Sequence, residues 1–369
     1  MFPSIEYLEW ISGRPESATH DLGSSDLRAS VQPGYTPVPG RLADLDDPPS
    51  DVSLDEQVAD EYGVSPSNVL LTAGASTANV LSMATVLDEY RSPADADTRP
   101  QVLVEKPGYE PLRATPAGFG ARVDRFLRTP ETEYRLDPSR VESALRESAR
   151  LVAVTNRHNP TGALTGRSAL EATAEAVSDA GARLLVDEVY APFGTVPSED
   201  GAFGGPTAAG LDDVVVTGSL TKFFGFGGLR VGWLVAEESF VDRARSIAFH
   251  LPVLAETSVA LARRALYNDE ALLATQRDHV ARNHDLLATF VEDRADLDGV
   301  VHPGSTFALV EPTVGDGDAV AEAAWEDGVL VVPGRFFDAP DAVRLSLGHT
   351  ADDAAAALDA FGTVLDDLA

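Results

Sequence analysis

Six short runs rich in β-branched and other apolar residues recur along the chain: NVLLTAGAS, PQVLVEKPGY, RLVAVTNRHNP, RLLVDEVY, DVVVTGSLTK and VGWLVA. They are bounded by Gly, Pro, Asn or Ser and alternate with helical stretches. Near-continuous apolar strands between helices predict an α/β fold with a parallel or mixed sheet covered on both faces. Ligands of such sheets gather at the carboxyl ends of the strands, and most of the unusual polar residues fall there. Ser168 to Ala180 reads as a helix closed by Gly181, and Ala262 to Phe290 as a long helical region. The composition then changes, which predicts a large domain over 36–270 and a smaller α+β domain made of 1–35 and 271–369. Pro and Gly cluster between Gln32 and Pro49, as a crossing segment would.

Charge and cysteine content narrow the function. The 28 basic and 59 acidic residues leave a formal net charge of −31, a field that repels nucleic acid and anionic membranes. The acid is dispersed in pairs such as Asp46-Asp47 and Asp352-Asp353, a pattern resembling proteins of a salt-saturated cytoplasm. Cysteine is absent, which excludes disulfides, thiolate metal sites and a Cys nucleophile. The histidines form no metal-binding pair, so no catalytic metal is expected. The first residues carry acid where a secretory leader carries base, and no membrane-length apolar run follows, so a cytoplasmic location is expected. Lysine falls to two residues, Lys106 and Lys222. Chemistry that needs a side-chain primary amine has only these candidates.

Lys222 follows the strand DVVVTG and precedes the glycine-rich FFGFGGLR. Crowded by glycines and aromatic rings, it is expected to be poorly solvated, with its amine pKa lowered toward nucleophilic behaviour. Ser219 and Arg230 flank it, a hydroxyl and a bidentate cation of the kind a phosphate ester needs. Gly74-Ala75-Ser76 sits at a strand-to-helix turn, where free backbone N–H groups and the helix dipole favour an anion. Asp187 and Tyr190 close the strand LLVDEVY, and a buried carboxylate there needs a cationic or hydrogen-bonded partner. A protonated pyridine is one such partner; a helix cap or a salt bridge would serve as well. Tyr109, in Lys-Pro-Gly-Tyr, is an aromatic at another strand exit, suited to lie on a planar ring or to fill a core.

The order Gly-Ala-Ser, Pro-x-Tyr, Asn-Pro-Thr-Gly, Asp-x-x-Tyr, then Ser-x-x-Lys with Arg eight residues later, resembles the fold type I pyridoxal-phosphate (PLP) enzymes. More narrowly, it resembles the class I/II aminotransferases over roughly residues 30 to 350. The resemblance implies a large domain with a mainly parallel seven-stranded sheet between helices, and pyridoxal 5'-phosphate held by Lys222 as a Schiff base. It further implies that Lys222 moves the proton between substrate and cofactor, that Asp187 keeps the pyridine nitrogen protonated, and that Tyr190 and Asn159 hold the ring oxygen. Tyr109 would stack on the ring, while Ala75, Ser76, Ser219 and Arg230 would bind the phosphate. Arg344, in Val-Arg-Leu-Ser, matches the arginine that clamps the substrate carboxylate beside Asn159. Tyr35 looks like the tyrosine that reaches the neighbouring subunit's phosphate, which implies a homodimer with shared active sites.

The expected reaction exchanges an amino group between an amino acid and a 2-oxo acid by a ping-pong mechanism. Decarboxylation, elimination or a cyclisation of the capreomycidine-synthase type is the alternative, and a non-catalytic ligand sensor is a third. Two segments depart from the family pattern. Arg157 stands where proline is usual, and HDLGSSDL replaces the common glycine-glutamate substrate loop. Arg14, Arg41 and Arg157 are the candidates for a second substrate anion by location, and Arg335 and Phe336 are placed near the mouth. Apolar and aromatic residues there suggest a neutral or aromatic substrate.

Overall fold

The computed structural model describes residues 3–27, 38–88, 99–194 and 201–369. Its centre is a seven-stranded sheet formed by β1 (Val69–Thr72), β2 (Gln101–Lys106), β3 (Arg122–Leu127), β4 (Ala149–Thr155), β5 (Arg183–Asp187), β6 (Val214–Ser219) and β7 (Gly232–Val235). The spatial order is β1-β7-β6-β5-β4-β2-β3, and β7 alone runs against the rest. The strands read as apolar runs because both faces are covered. Val152, Val154, Leu184, Val186 and Val216 pack into one core, and Leu151, Ala153, Leu185 and Val215 into the core on the opposite face. The sequence runs include six of these strands. The seventh, β3, is an edge strand carrying Arg122, Asp124 and Arg125, and charge on an edge hides the strand pattern while discouraging pairing with other chains.

Helix Arg167–Asp179 lies within a residue of the expected span. The long helical region is two helices, Glu256–Tyr267 and Asp269–Glu292. They break at Asn268, whose side-chain amide donates to the carbonyls of Arg264 (2.7 Å) and Asp46 (2.9 Å) instead of continuing the helix. The second helix sends Leu272, Leu273 and Val280 into the core of the large sheet, and Leu287 and Val291 into a further core.

That further core belongs to an antiparallel sheet of Leu297–Gly299, Phe307–Pro312, Val343–Ser346 and Val332–Pro333, in that order. The N-terminal segment is woven into it. His20–Asp21 pairs in parallel with Val329–Leu330, and Leu22 is fully buried among C-terminal side chains. Among the described residues, no helix is long and apolar enough to cross a membrane.

Candidate active site

The carboxyl ends of β1, β2, β4, β5 and β6 open on one cavity of about 450 Å³. It is lined by Ala75, Ser76, Tyr109, Asn159, Asp187, Tyr190, Ser219, Lys222, Arg230 and Arg344. Every site residue expected from the sequence is therefore in one place, apart from Tyr35, which lies outside the described residues.

At one end, Gly74 adopts φ +88° and helix Ala75–Asp88 begins at the next residue. A Cβ on Gly74 would sit 3.3 Å from Nη2 of Arg230, and one on Gly232 would sit 2.6 Å from the Gly74 carbonyl carbon. Both glycines are required for the turn, the arginine and β7 to come this close. The Arg230 guanidinium has no hydrogen-bond or carboxylate partner among the described residues. Beside a helix N-terminus it forms an anion site of the size and charge of a phosphate.

In the floor, Asp187 accepts from Asn79 Nδ2 (2.7 Å) and from the Val189 backbone (3.3 Å), and Asn79 Oδ1 in turn accepts from Thr217 (2.7 Å). Burial pushes the Asp187 carboxyl up to about 6, with the Asn79 and Val189 hydrogen bonds and the charge of Lys222 pulling the other way. No described cation forms an ion pair with it. A carboxyl raised by burial and without an ion-pair partner among the described residues suits a ring nitrogen that gains a proton on binding.

Lys222 is half-buried, with Nζ 3.4 Å from Ser25 Oγ and 5.9 Å from the centroid of the Tyr190 ring. Its amine departs from expectation. Burial does lower it, but Tyr190, Asp26 and Tyr7 act in the opposite direction and outweigh that effect, so the net displacement is upward. Strand-exit geometry conveys the desolvation; the opposing groups come from elsewhere in the chain.

Arg344, 1 % exposed, donates from Nη1 to Asn159 Oδ1 (2.9 Å) and from Nη2 to Tyr7 Oη (3.2 Å) and the Gly23 carbonyl (2.9 Å). Its Nε has no hydrogen-bond partner among the described residues. Asn159 is held from behind, its backbone N–H donating to Thr155 Oγ1 (2.9 Å), whose hydroxyl donates to the buried Glu105 (2.6 Å). Glu105 is paired with the equally buried Arg128 at 2.8 Å.

The other sequence candidates turn away from the cavity. Arg157 follows a cis peptide and donates to the carbonyls of Phe193 and Gly162, a structural role. Arg41 binds Gln276 and the Phe224 carbonyl, and Arg14 lies between the rings of Trp10 and Trp325. Arg335 pairs with Asp318, and Phe336 packs on Tyr7 and Trp10 behind the mouth. Sequence reasoning missed Tyr7, Ser24, Ser25 and Asn79, all of which line the cavity. The unusual segment HDLGSSDL was the available signal for the serines, and a lone asparagine on an apolar helix was the signal for Asn79.

An unpaired arginine at a helix N-terminus, an amine and an uncompensated carboxyl around one cavity fit pyridoxal phosphate, and the fold and site together define a fold type I PLP enzyme. The chain belongs to the class I and II aminotransferase family, whose sequence model matches residues 40–361. It is a PLP-dependent aminotransferase acting on amino and 2-oxo acids. It is 28% identical over 323 residues to the histidinol-phosphate aminotransferase of Haloquadratum walsbyi, covering 86% of this chain and 78% of that one. It also shares its fold with a PLP-dependent aminotransferase from Streptococcus suis (TM-score 0.82, 23% identity, 100% of this chain and 99% of that one). The PLP-dependent cyclase OrfR is similar in fold too (TM-score 0.78, 24% identity, 100% and 98%).

Proposed function

We propose that this chain catalyses ping-pong transamination with Lys222 as the cofactor-bearing and proton-carrying residue. Bound PLP supplies the electron sink that stabilises negative charge at the substrate Cα. Arg230, Ser219, Ser76 and the Ala75 backbone hold the phosphate, and Asp187 gives the ring nitrogen its counter-charge. Tyr190 and Asn159 donate to the ring oxygen, and Tyr109 covers one face. Arg344 binds the substrate's anionic group, with Asn159, Tyr7 and Gly23 holding the guanidinium in orientation. The observation that carries this reading is the convergence of Lys222, Asp187, Arg230 and Arg344 on one cavity in a chain with two lysines.

Among the described residues, the cations lining the cavity are Lys222, Arg230 and Arg344, and each has a role above. No described cation is left for a second anionic group, which favours a substrate with a neutral or aromatic side chain set against Tyr7, Leu8 and Ile11. The relatives named for histidinol phosphate offer a phosphate-bearing substrate as the comparison, with its phosphate on Arg344. We further propose a homodimer. Phe249 and Val253 are 83 % and 90 % exposed on an apolar surface shared with Leu70, Ala73 and Thr77, next to the phosphate turn. We place the chain in a high-salt cytoplasm, in keeping with its charge and its haloarchaeal relatives.

The test is reconstitution with PLP in molar KCl, borohydride reduction and peptide mapping, followed by a panel of amino donors that includes histidinol phosphate. The expected result is a single reduced adduct at Lys222 and stoichiometric conversion to the amine form of the cofactor, reversed by a 2-oxo acid. Continuous release of carbon dioxide or ammonia, or a cyclised product, would replace this reading.

A further inference from the structure

The N-terminal segment places a hydroxyl between the two groups proposed to act on the cofactor. Ser25 Oγ lies 2.6 Å from Tyr190 Oη and 3.4 Å from Lys222 Nζ, and the residue is 4 % exposed. Its position is fixed by contacts on every side. Asp21 accepts from the backbones of Gly23 (2.8 Å) and Ser24 (2.9 Å), and its other oxygen meets His349 at 3.2 Å. The Leu22 carbonyl accepts from Ser346 N (2.8 Å), Arg344 binds the Gly23 carbonyl, and Leu27 N donates to the carbonyl of Lys222 itself (3.0 Å). A segment tied to both the anion-binding arginine and the lysine is a rigid mount for one side chain.

We propose that Ser25 is a positioning residue for the reaction, one that accepts a hydrogen bond from the Lys222 amine and donates one to Tyr190. The inference rests on the assignment of Lys222 as the cofactor lysine. When not bonded to the cofactor, the amine would be free to rotate at the end of a four-carbon stem, and its lone pair would serve as a base only when aimed at the substrate Cα. Fixing one N–H on Ser25 removes that freedom and leaves the lone pair to take the Cα proton. The same hydroxyl, donating to the Tyr190 oxygen, aligns the phenol O–H to donate onward to the ring oxygen. The chain then runs Lys222 N–H to Ser25 O–H to Tyr190 O–H, with each oxygen accepting one bond and donating one.

The test compares wild type with Ser25→Ala and Ser25→Thr, all first shown to be reduced by borohydride at Lys222. With the fastest donor of the amine panel, Ser25→Ala is expected to lower kcat about 10- to 100-fold with KM nearly unchanged. It is also expected to raise the primary isotope effect from Cα-deuterated donor, and Ser25→Thr is expected to restore most of the rate. In the apoprotein, the pH dependence of Lys222 acetylation by trace acetic anhydride, read by mass spectrometry with Lys106 as internal standard, is expected to shift to lower pH in Ser25→Ala, since the ammonium loses an acceptor. A loss confined to KM, or an unchanged isotope effect with an unchanged acetylation profile, would overturn the proposal. Should Ser25→Ala fail to fold, the acetylation profile and isotope effect of Ser25→Gly decide it in the same way. Absence of the borohydride adduct in wild type would instead remove the Lys222 assignment.

Discussion

Asn79 and Asp187 meet at 2.7 Å beneath the cavity, the amide of a helix residue donating to the carboxylate at the end of the central strand β5. The contact favours the charged carboxylate, while burial opposes it and leaves the Asp187 carboxyl at about 6. Removing the amide by Asn79→Ala is expected to raise that value further and to weaken PLP binding about tenfold at pH 7, since a hydrogen bond to a charged group contributes roughly 1.5–3 kcal/mol. Spectrophotometric PLP titrations between pH 6 and 8.5 check this, with the variant approaching wild type as pH rises. Equal affinities at neutral pH would rule the amide out as a tuning group.

The same carboxyl has a stability consequence in the apoprotein. A folded-state value raised to about 6 means the folded protein holds this proton more tightly than the unfolded chain. Its contribution is therefore favourable below the ordinary carboxyl value and is lost as pH rises through about 6. At pH 7 the group costs on the order of 3 kcal/mol, so Asp187→Asn is expected to stabilise apoprotein by up to about that amount and to abolish tight PLP binding. Denaturant melts of both proteins at pH 5 and pH 8 read it out, and the difference between them should shrink at the lower pH. A less stable variant at pH 8 would show that its hydrogen bonds outweigh the burial cost.

These dependences also mark what was legible in the sequence. Asp187, Tyr190 and Lys222 could be found because each stands at the exit of an apolar strand, where local pattern alone places a side chain at the sheet's edge. Tyr7 and Ser25 could not be placed at the site, although the unusual HDLGSSDL segment marked the serines, because the N-terminal segment is anchored by His20–Asp21 pairing with Val329–Leu330, a register that no local pattern encodes. The upward displacement of the Lys222 amine was hidden in part for the same reason, since besides Tyr190, its largest source, Asp26 and Tyr7 reach it from the N-terminal segment. Arg14, Arg41 and Arg157 misled in the opposite direction. Proximity in sequence to site motifs says nothing about which carbonyl or ring a long side chain will reach.

Arg344 is expected to be sensitive to charge-preserving substitution. Its guanidinium spans Asn159, Tyr7 and the Gly23 carbonyl, and lysine cannot reproduce that fork. Arg344→Lys should raise KM for amino and oxo substrates alike and reduce kcat/KM about 10- to 100-fold, the effect of losing one or two charge-assisted hydrogen bonds. The absorbance of bound cofactor should change little, because in the proposed arrangement the arginine faces the substrate and reaches the ring only through Asn159. Steady-state kinetics of both half-reactions decide this, and a change confined to kcat would assign the arginine a different role.

The Glu105–Arg128 pair behind Asn159 is fully buried. Arg128→Met would leave the Glu105 carboxylate without its counter-charge, and breaking such a pair costs about 3–5 kcal/mol. The double variant Glu105→Gln with Arg128→Met should recover most of that stability, because the glutamine can still accept from Thr155. Thermal melts of the single and double variants provide the comparison. Additive losses would mean that the two residues stabilise the fold independently.

The acid excess sets the response to salt. Exposed ion pairs such as Arg135 with Glu133 at 2.6 Å weaken as salt screens them, whereas repulsion among unpaired carboxylates is relieved. With a net charge of −31 the second effect dominates, because the screening length falls from about 10 Å at 0.1 M salt to about 3 Å at 1 M. The apoprotein melting temperature is therefore expected to rise by several degrees between 0.1 and 1 M KCl. Screening then saturates, and a further slow rise in sulfate but not in chloride would report exclusion of salt from the surface. A melting temperature that fell across the same chloride range would mean that the surface ion pairs, and not the carboxylate repulsion, govern stability.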